Sequence, residues 1–111
     1  MLKKIKMMSQ FGVLAWLLTS AMQLNAAEYT ASQKGKKFYP EKLQIKVGDS
    51  INFVNDDNTP HNIYSESPSN HFELGMYRKG QERKAFFDKP GTVQVECLIH
   101  PNMKMTVEVT K

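Results

Sequence analysis

The segment TVQVECLIHPNMKMTVEVT, residues 92–110, holds two alternating apolar runs on either side of a short stretch rich in sulfur and nitrogen donors. Within the two runs, the apolar residues of one parity are, in order, Val93, Val95, Cys97, Met105, Val107 and Val109. Successive side chains of a β-strand point to opposite faces of the sheet, so these residues are expected to face a core. The segment therefore predicts two strands, with the Cys97 thiol directed inward at the end of the first.

The same alternation recurs upstream, in EKLQIKV (41–47) and SINFVN (50–55). In the first of these runs Leu43, Ile45 and Val47 are expected to face the core. Turn-forming residues separate the runs, and no stretch after residue 27 has convincing helical periodicity. The segment 65–80 is less regular and predicts a long surface connection with a short strand over 72–74. The chain is therefore expected to fold as an all-β protein, an antiparallel sandwich or small barrel.

The first 27 residues have the pattern of a cleaved secretory signal peptide. Three lysines near the start precede an apolar stretch from about Phe11 to Leu24, and the small residues Ala26 and Ala27 follow it. A retained transmembrane anchor would need ~20 apolar residues, and polar side chains interrupt this stretch too early. We therefore predict a signal peptide over 1–27, a single domain over 28–111, and export to the periplasm without a membrane anchor.

The single cysteine restricts the kinds of site that the chain can form. Cys97 is the only cysteine of the sequence, so it cannot form an internal disulfide; in an exported chain it is a free thiol, an intermolecular bridge or a metal ligand. A bound metal would also stabilise a domain this small.

The formal net charge of +4 includes three leader lysines, which leaves the rest of the chain nearly neutral. Its composition therefore gives no reason to predict nucleic-acid binding, although two basic clusters, 34–37 and 78–84, could steer an acidic partner.

Four residues carry the donors of a copper site. Each has an ordinary explanation when taken alone: a core cysteine, two loop histidines and a gap-filling methionine. Together, a thiolate and two imidazoles with a weakly bound thioether on the axis form a blue-copper electron-transfer site. Such a site takes one histidine from a distant strand and the other three ligands from one loop. His61 is the distant histidine, and Cys97, His100 and Met103 supply the rest.

The thioether distinguishes copper from zinc. Cysteine and histidine suit both metals, but a methionine sulfur is a poor zinc ligand. Cu(II) prefers nitrogen and Cu(I) prefers sulfur, so a rigid mixed site changes little when an electron arrives. Met103 therefore favours one copper ion per chain, cycling between Cu(I) and Cu(II), as the cofactor.

Three passages resemble the cupredoxins, and amicyanins in particular. Residues 38–62 resemble the family's pattern of a strand ending Val-Gly-Asp, a strand ending in Asn, and then Pro-His-Asn. Residues 87–103 resemble its penultimate strand and ligand loop, with the amicyanin spacing Cys-x-x-His-Pro-x-Met, and residues 103–110 resemble the closing strand. Ile99 departs from the pattern, since proline is usual there. The resemblance implies a Greek-key β-sandwich with copper bound by the four residues above.

The resemblance also implies roles for individual side chains. The Asn62 side chain is expected to hydrogen-bond across to the ligand loop, and His100 is expected to be the exposed electron port. Counting from Cys97 leaves Met103 and Met105 both open as the axial ligand. In the family this methionine lies four residues before the first inward valine of the closing strand, a relation that Met103 has to Val107.

The main functional hypothesis is a soluble, monomeric one-electron carrier that works between larger redox proteins, such as a c-type cytochrome and an oxidase or dehydrogenase. The runner-up is a periplasmic copper chaperone or resistance protein. His71 and Met76 keep the runner-up open as candidates for a second, surface copper site. An enzyme is not predicted, because a dyad of Cys97 and His100 would lack a third orienting group and a substrate cleft.

Overall fold

Nine β-strands form the part of the chain, residues 25–111, that the computed structural model describes. They are β1 (Glu28–Lys34), β2 (Lys37–Tyr39), β3 (Lys42–Lys46), β4 (Ser50–Asn55), β5 (His61–Ser65), β6 (Phe72–Tyr77), β7 (Glu82–Phe86), β8 (Gly91–Cys97) and β9 (His100–Thr110). The predicted signal peptide over 1–27 lies almost wholly outside these described residues. Within residues 25–111 no helix is long and apolar enough to cross a membrane.

The strands form two sheets, with orders β2-β1-β4-β7 and β3-β9-β8-β5-β6. The predicted all-β sandwich is therefore confirmed, but its sheets are mixed rather than purely antiparallel. β1 pairs with β4, and β3 with β9, in parallel. The physical reason is that β3 leaves the first sheet for the second, and the chain then returns to place β4 beside β1. Parallel neighbours need such a crossover, which hairpin-scale sequence signals do not reveal.

The alternating side chains fill the space between the sheets. The largest fully buried apolar side chains are Phe38, Phe53, Phe87, Tyr77, Ile45, Ile51 and Ile63. The inward parity predicted for Val93, Val95, Val107 and Val109 is confirmed, since all four are buried. Val47 was expected to face the core but is 39% exposed. β3 ends at Lys46, so Val47 already belongs to the following turn and is no longer held by the strand's alternation.

The segment 65–80 is more regular than its sequence indicates. β6 runs over Phe72–Tyr77 and pairs with β5 as the edge strand of the second sheet. Its pairing has a register shift between Asn62 and Tyr64, and Gly75 has a positive φ of 76°. This irregularity interrupts the alternation of apolar residues, which is why the sequence predicted only a short strand there.

β8 and β9 form a hairpin with an unusual end. β8 stops at Cys97, a turn follows, and β9 begins at His100, which pairs with Cys97. The next pair is Glu96 with Lys104, so residues 101–103 bulge between the two pairs. A bulge of this kind redirects the side chains of one strand. The stretch predicted as a ligand loop is therefore largely the bulged start of a strand.

Candidate metal centre

Cys97 places a thiol at the inner side of one end of the sandwich. It is 2% exposed and is not in a disulfide. Its neighbour across the sheet is Ile63 on β5, so the strand that begins with His61 lies directly beside it. The inward orientation predicted from the parity of β8 is confirmed.

His61 faces this thiol from the first residue of β5. Its side chain is fully buried, and its Nδ1 lies 3.7 Å from the Cys97 Sγ. Its Nε2 lies 3.0 Å from Oδ2 of Asp57. An ionised carboxylate can only accept, so Nε2 carries the proton and donates to it. Nδ1 is then unprotonated and presents a lone pair towards the thiol.

His100 completes the group from the start of β9. Its Nδ1 lies 3.5 Å from the Cys97 Sγ, and its ring centroid is 5.0 Å from that of His61. The three donor atoms all lie within 4.8 Å of one another. Donors about 2.0 to 2.3 Å from one shared ion would be separated by about 3.5 to 3.8 Å at trigonal or tetrahedral angles. The two sulfur–nitrogen distances therefore fit a single metal ion.

The surroundings of His100 favour its neutral, ligating form. Partial burial lowers the pKa of the imidazole below its ordinary value, and the neighbouring His61 and the Lys36 ammonium lower it further. Asp57 opposes these effects. The side chain is half-buried, whereas the turn residues before it, Leu98 and Ile99, are 52% and 43% exposed. His100 is therefore the donor of this group that lies nearest to solvent.

Both candidate axial methionines are buried, and they occupy different levels of the hairpin. Met103 and Met105 are each 1% exposed. Met105 pairs with Val95, which lies two residues deeper into the core than Cys97. Met103 belongs to the bulge beside the Cys97 pairing. Its position makes Met103 the nearer candidate for a fourth ligand.

Asn62 contacts the cysteine through its backbone. Its amide nitrogen lies 3.4 Å from the Cys97 Sγ, and its carbonyl accepts a hydrogen bond from the Leu98 amide at 3.0 Å. The contacts between Asn62 and the ligand hairpin therefore involve its backbone, whereas the sequence analysis expected a side-chain hydrogen bond. The side-chain Oδ1 is buried without a hydrogen-bond partner among the described residues.

Asp57 is a residue that the sequence analysis missed. Its carboxylate binds His61 and also accepts hydrogen bonds from the backbone amides of Gly35 and Lys36, both at 2.9 Å. These residues form the two-residue turn between β1 and β2, with φ values of 59° and 57°. Burial raises the pKa of Asp57, but its hydrogen bonds to these two amides and to His61 outweigh it, so the pKa lies below its ordinary value. The available signal was an acid four residues before the first histidine.

His71 and Met76 do not form a second copper site. His71 immediately precedes β6 and Met76 is the fifth residue of that strand. A strand rises about 3.3 Å per residue, so about 16 Å separates their backbones. Met76 instead lies near the metal centre, since it pairs with Asn62.

The sequence model for copper-binding proteins of the plastocyanin/azurin family matches residues 25–110. This chain belongs to that family. Its cofactor is copper, which agrees with the buried set of one thiol and two imidazole nitrogens described above. Several curated relatives are similar along much of their length.

Methylamine utilization protein MauL of Methylorubrum extorquens is 32% identical in an alignment of 98 residues that covers 86% of each chain. Amicyanin-alpha of the same organism is 33% identical in an alignment of 76 residues that covers 66% of this chain and 64% of the relative. Amicyanin of Paracoccus denitrificans is 30% identical in an alignment of 83 residues that covers 66% of this chain and 58% of the relative. The resemblance to amicyanins is therefore confirmed.

Solved structures agree with this family. A reduced amicyanin variant is 26% identical, with a TM-score of 0.68, and the match covers 80% of this chain and 87% of that one. A copper-containing nitrite reductase of Thermus scotoductus is 28% identical, with a TM-score of 0.71, but the match covers only 23% of that larger chain. The similarity to the reductase is thus confined to one part of it.

Proposed function

We propose that this protein is a periplasmic type I copper protein that carries one electron at a time between larger redox proteins. The observation that supports this most strongly is the convergence of the Cys97, His61 and His100 donor atoms within 4.8 Å of one another. We assign these three residues and the buried Met103 as the copper ligands. Bound copper would supply a one-electron couple between Cu(I) and Cu(II).

The chain's own contribution is to hold the ligands still. Cys97 and His61 lie in adjacent strands of one sheet, and the sandwich leaves them almost no exposed surface. The Asp57 carboxylate fixes the tautomer and the ring orientation of His61, as partners of ligating histidines commonly do. The Asn62 amide donates towards the Cys97 sulfur, and hydrogen bonds to this sulfur influence the redox potential. Because of these restraints, the copper ligands should move little when an electron is transferred.

Electrons are proposed to enter and leave through His100. It is the half-buried member of the donor set, and the exposed Leu98 and Ile99 provide an apolar surface beside it. A partner that buries these two side chains would bring its own redox centre close to the imidazole. The partners we propose are redox proteins such as a c-type cytochrome, an oxidase or a dehydrogenase. We propose a periplasmic location on the basis of the sequence pattern of residues 1–27, and we propose that the protein acts as a monomer.

The burial of the donors argues against two other roles. A chaperone must expose its ligands to the protein that receives the copper, whereas Cys97 and His61 are buried. A thiol nucleophile would likewise need access to a substrate, so we propose that the protein is not an enzyme. Both arguments depend on the burial of the Cys97 sulfur.

Voltammetry and copper retention together test the proposal. The copper-loaded protein is expected to give a reversible one-electron wave, and its Cu(I) form is expected to retain the metal during incubation with excess bathocuproine disulfonate. The matched control is His71→Ala, which removes a histidine outside the donor set and should change neither result. Rapid, complete transfer of Cu(I) to the chelator without a reversible wave would instead favour a chaperone.

A further inference from the structure

Five basic residues surround the metal-binding end of the sandwich. They lie in or directly beside two turns, between β1 and β2 and between β6 and β7, and we call them the basic rim: Lys34, Lys36, Lys37, Arg78 and Lys79. All five are exposed. In the sequence the two groups are more than 40 residues apart, and only the fold places them at one end of the molecule.

The first group is tied to the metal centre through Asp57. The same carboxylate that accepts from His61 accepts from the Lys36 amide, so one residue links this turn to a ligand. Lys36 and Lys37 also line a cleft together with Asn102 and Met103. The Lys36 side chain is therefore close to the start of β9, where His100 lies.

The second group is tied to the other side of the same loop, which connects β4 and β5. The Gly80 amide donates to the Asn55 carbonyl at 2.8 Å, and the Lys79 ammonium donates to the Asn58 side chain at 3.1 Å. The loop that ends at His61 therefore lies between the two basic turns. This arrangement places positive charge on two sides of the β4–β5 loop, which ends at the His61 ligand.

The charges of the basic rim are largely uncompensated. The ion pairs between lysine and acid among residues 25–111 are Lys84 with Glu28 and Lys104 with Glu96, and neither involves a rim residue. Asp57 is already engaged by two amides and an imidazole. Asp56, Glu41 and Glu82 are exposed acids nearby, fewer than the five cations. The metal-binding end is therefore basic although the chain after its leader is nearly neutral.

The centre of this end is apolar. Leu98 and Ile99 are exposed at the tip of the hairpin, next to His100. An apolar centre with a charged margin is the usual composition of a protein-binding surface. Proteins that bind single-stranded nucleic acids commonly stack aromatic side chains on the bases, and these aliphatic side chains cannot do so.

We propose that the basic rim and the Leu98–Ile99 tip together form the docking surface for a redox partner whose own docking surface is acidic. This inference rests on the proposed electron-carrier function and names the charge of its partner. The rim steers the acidic surface towards the tip, and the tip then packs against the partner beside His100. Steering by complementary charge acts mainly on the association rate and weakens with ionic strength.

The test compares two c-type cytochromes of similar potential, one with net negative and one with net positive charge, as electron-transfer probes. Second-order rate constants are measured by stopped flow at several salt concentrations for the wild type, the double variant Lys36→Glu/Lys79→Glu, and the control Lys89→Glu. Lys89 is an exposed lysine near the opposite end of β8. Each variant's potential is measured so that its rates can be compared at equal driving force.

The wild type is expected to react faster with the acidic cytochrome, and that rate should fall as salt is added. At low ionic strength the rate constant of the double variant should be about tenfold lower than that of the wild type, while that of the control should stay within about twofold of the wild type. Equal losses in both variants, or a preference for the basic cytochrome, would overturn the proposal. Association with anionic phosphatidylglycerol vesicles but with neither cytochrome would also overturn it, by assigning the surface to a membrane.

The visible spectrum separates this inference from the proposed function. If the variants keep the copper band and a reversible wave while their rates contradict the expectation, only the docking surface is wrong. If the wild type itself lacks a copper band and a reversible wave, the carrier function fails, and the docking inference fails with it.

Discussion

The Asp57 carboxylate accepts a hydrogen bond from Nε2 of His61 at 3.0 Å, so the opposite ring nitrogen, Nδ1, faces the Cys97 sulfur. One contact thereby sets both the tautomer and the direction of a buried ligand. It also places a negative charge one imidazole away from the metal centre. Because Cu(II) carries more charge than Cu(I), this carboxylate should stabilise the oxidised form.

Replacing this carboxylate should therefore raise the reduction potential. Asp57→Asn retains the shape of the side chain but removes its charge, and it should also weaken Cu(II) binding by at least about tenfold, as removal of such partners typically does. Voltammetry and competitive copper titration provide the measurements. The control is Asp56→Asn, which neutralises the exposed neighbouring acid. Equal shifts in the two variants would mean that only the general charge of the loop matters.

The axial assignment predicts different outcomes for two neighbouring methionines. Met103→Gln should shift the colour and lower the potential, because the axial bond is weak and adjusts the site without holding it together. Met105→Leu should leave both nearly unchanged and cost at most about 1.5 kcal/mol of stability, as a volume-conserving core substitution. Absorption spectra, voltammetry and denaturant unfolding distinguish the two. The reverse pattern would move the axial ligand to Met105.

Asp49 gives the apoprotein a pH-dependent stability that is separate from the copper site. In the chain with its leader, hydrogen bonds from the Ala27 amide at 2.8 Å and the Lys46 amide at 2.9 Å hold the pKa of its carboxyl below the ordinary value of 3.8, and the prediction is for that uncleaved chain. The unfolded state then binds a proton more readily, so the contribution is complete above about pH 4 to 5 and is lost as the pH falls through the folded-state pKa. Denaturant unfolding of wild type and Asp49→Asn should differ at pH 7 and converge near pH 2. A difference that does not change with pH would show that the charge of Asp49 is irrelevant.

Local alternation made much of this fold predictable. The inward parity of Val93, Val95 and Cys97 follows from the two-residue period of a strand, and the same period placed Val107 and Val109 in the core. The alternation within a strand contains no information about which strands lie side by side in a sheet. The parallel pairings of β1 with β4 and β3 with β9 were missed for this reason.

The site was predictable to the extent that ligand chemistry restricts residue type. A chain with one cysteine and few histidines leaves few combinations that can bind copper. The supporting contacts were less accessible: Asp57 is one of several polar residues in its loop, and its role depends on the position of the Gly35–Lys36 turn. The backbone tie at Asn62 could not be distinguished from a side-chain tie, because a backbone amide is present at almost every position.

The most direct test of the account is a titration of the purified protein, without its leader, with Cu(II), followed by visible absorption. An intense blue or green charge-transfer band should grow and saturate at one copper per chain, because the Cys97 thiolate donates to Cu(II). Cys97→Ser should show no such band while remaining folded by circular dichroism. The absence of the band in the wild type, or its presence in Cys97→Ser, would contradict the assignment of a type I copper site.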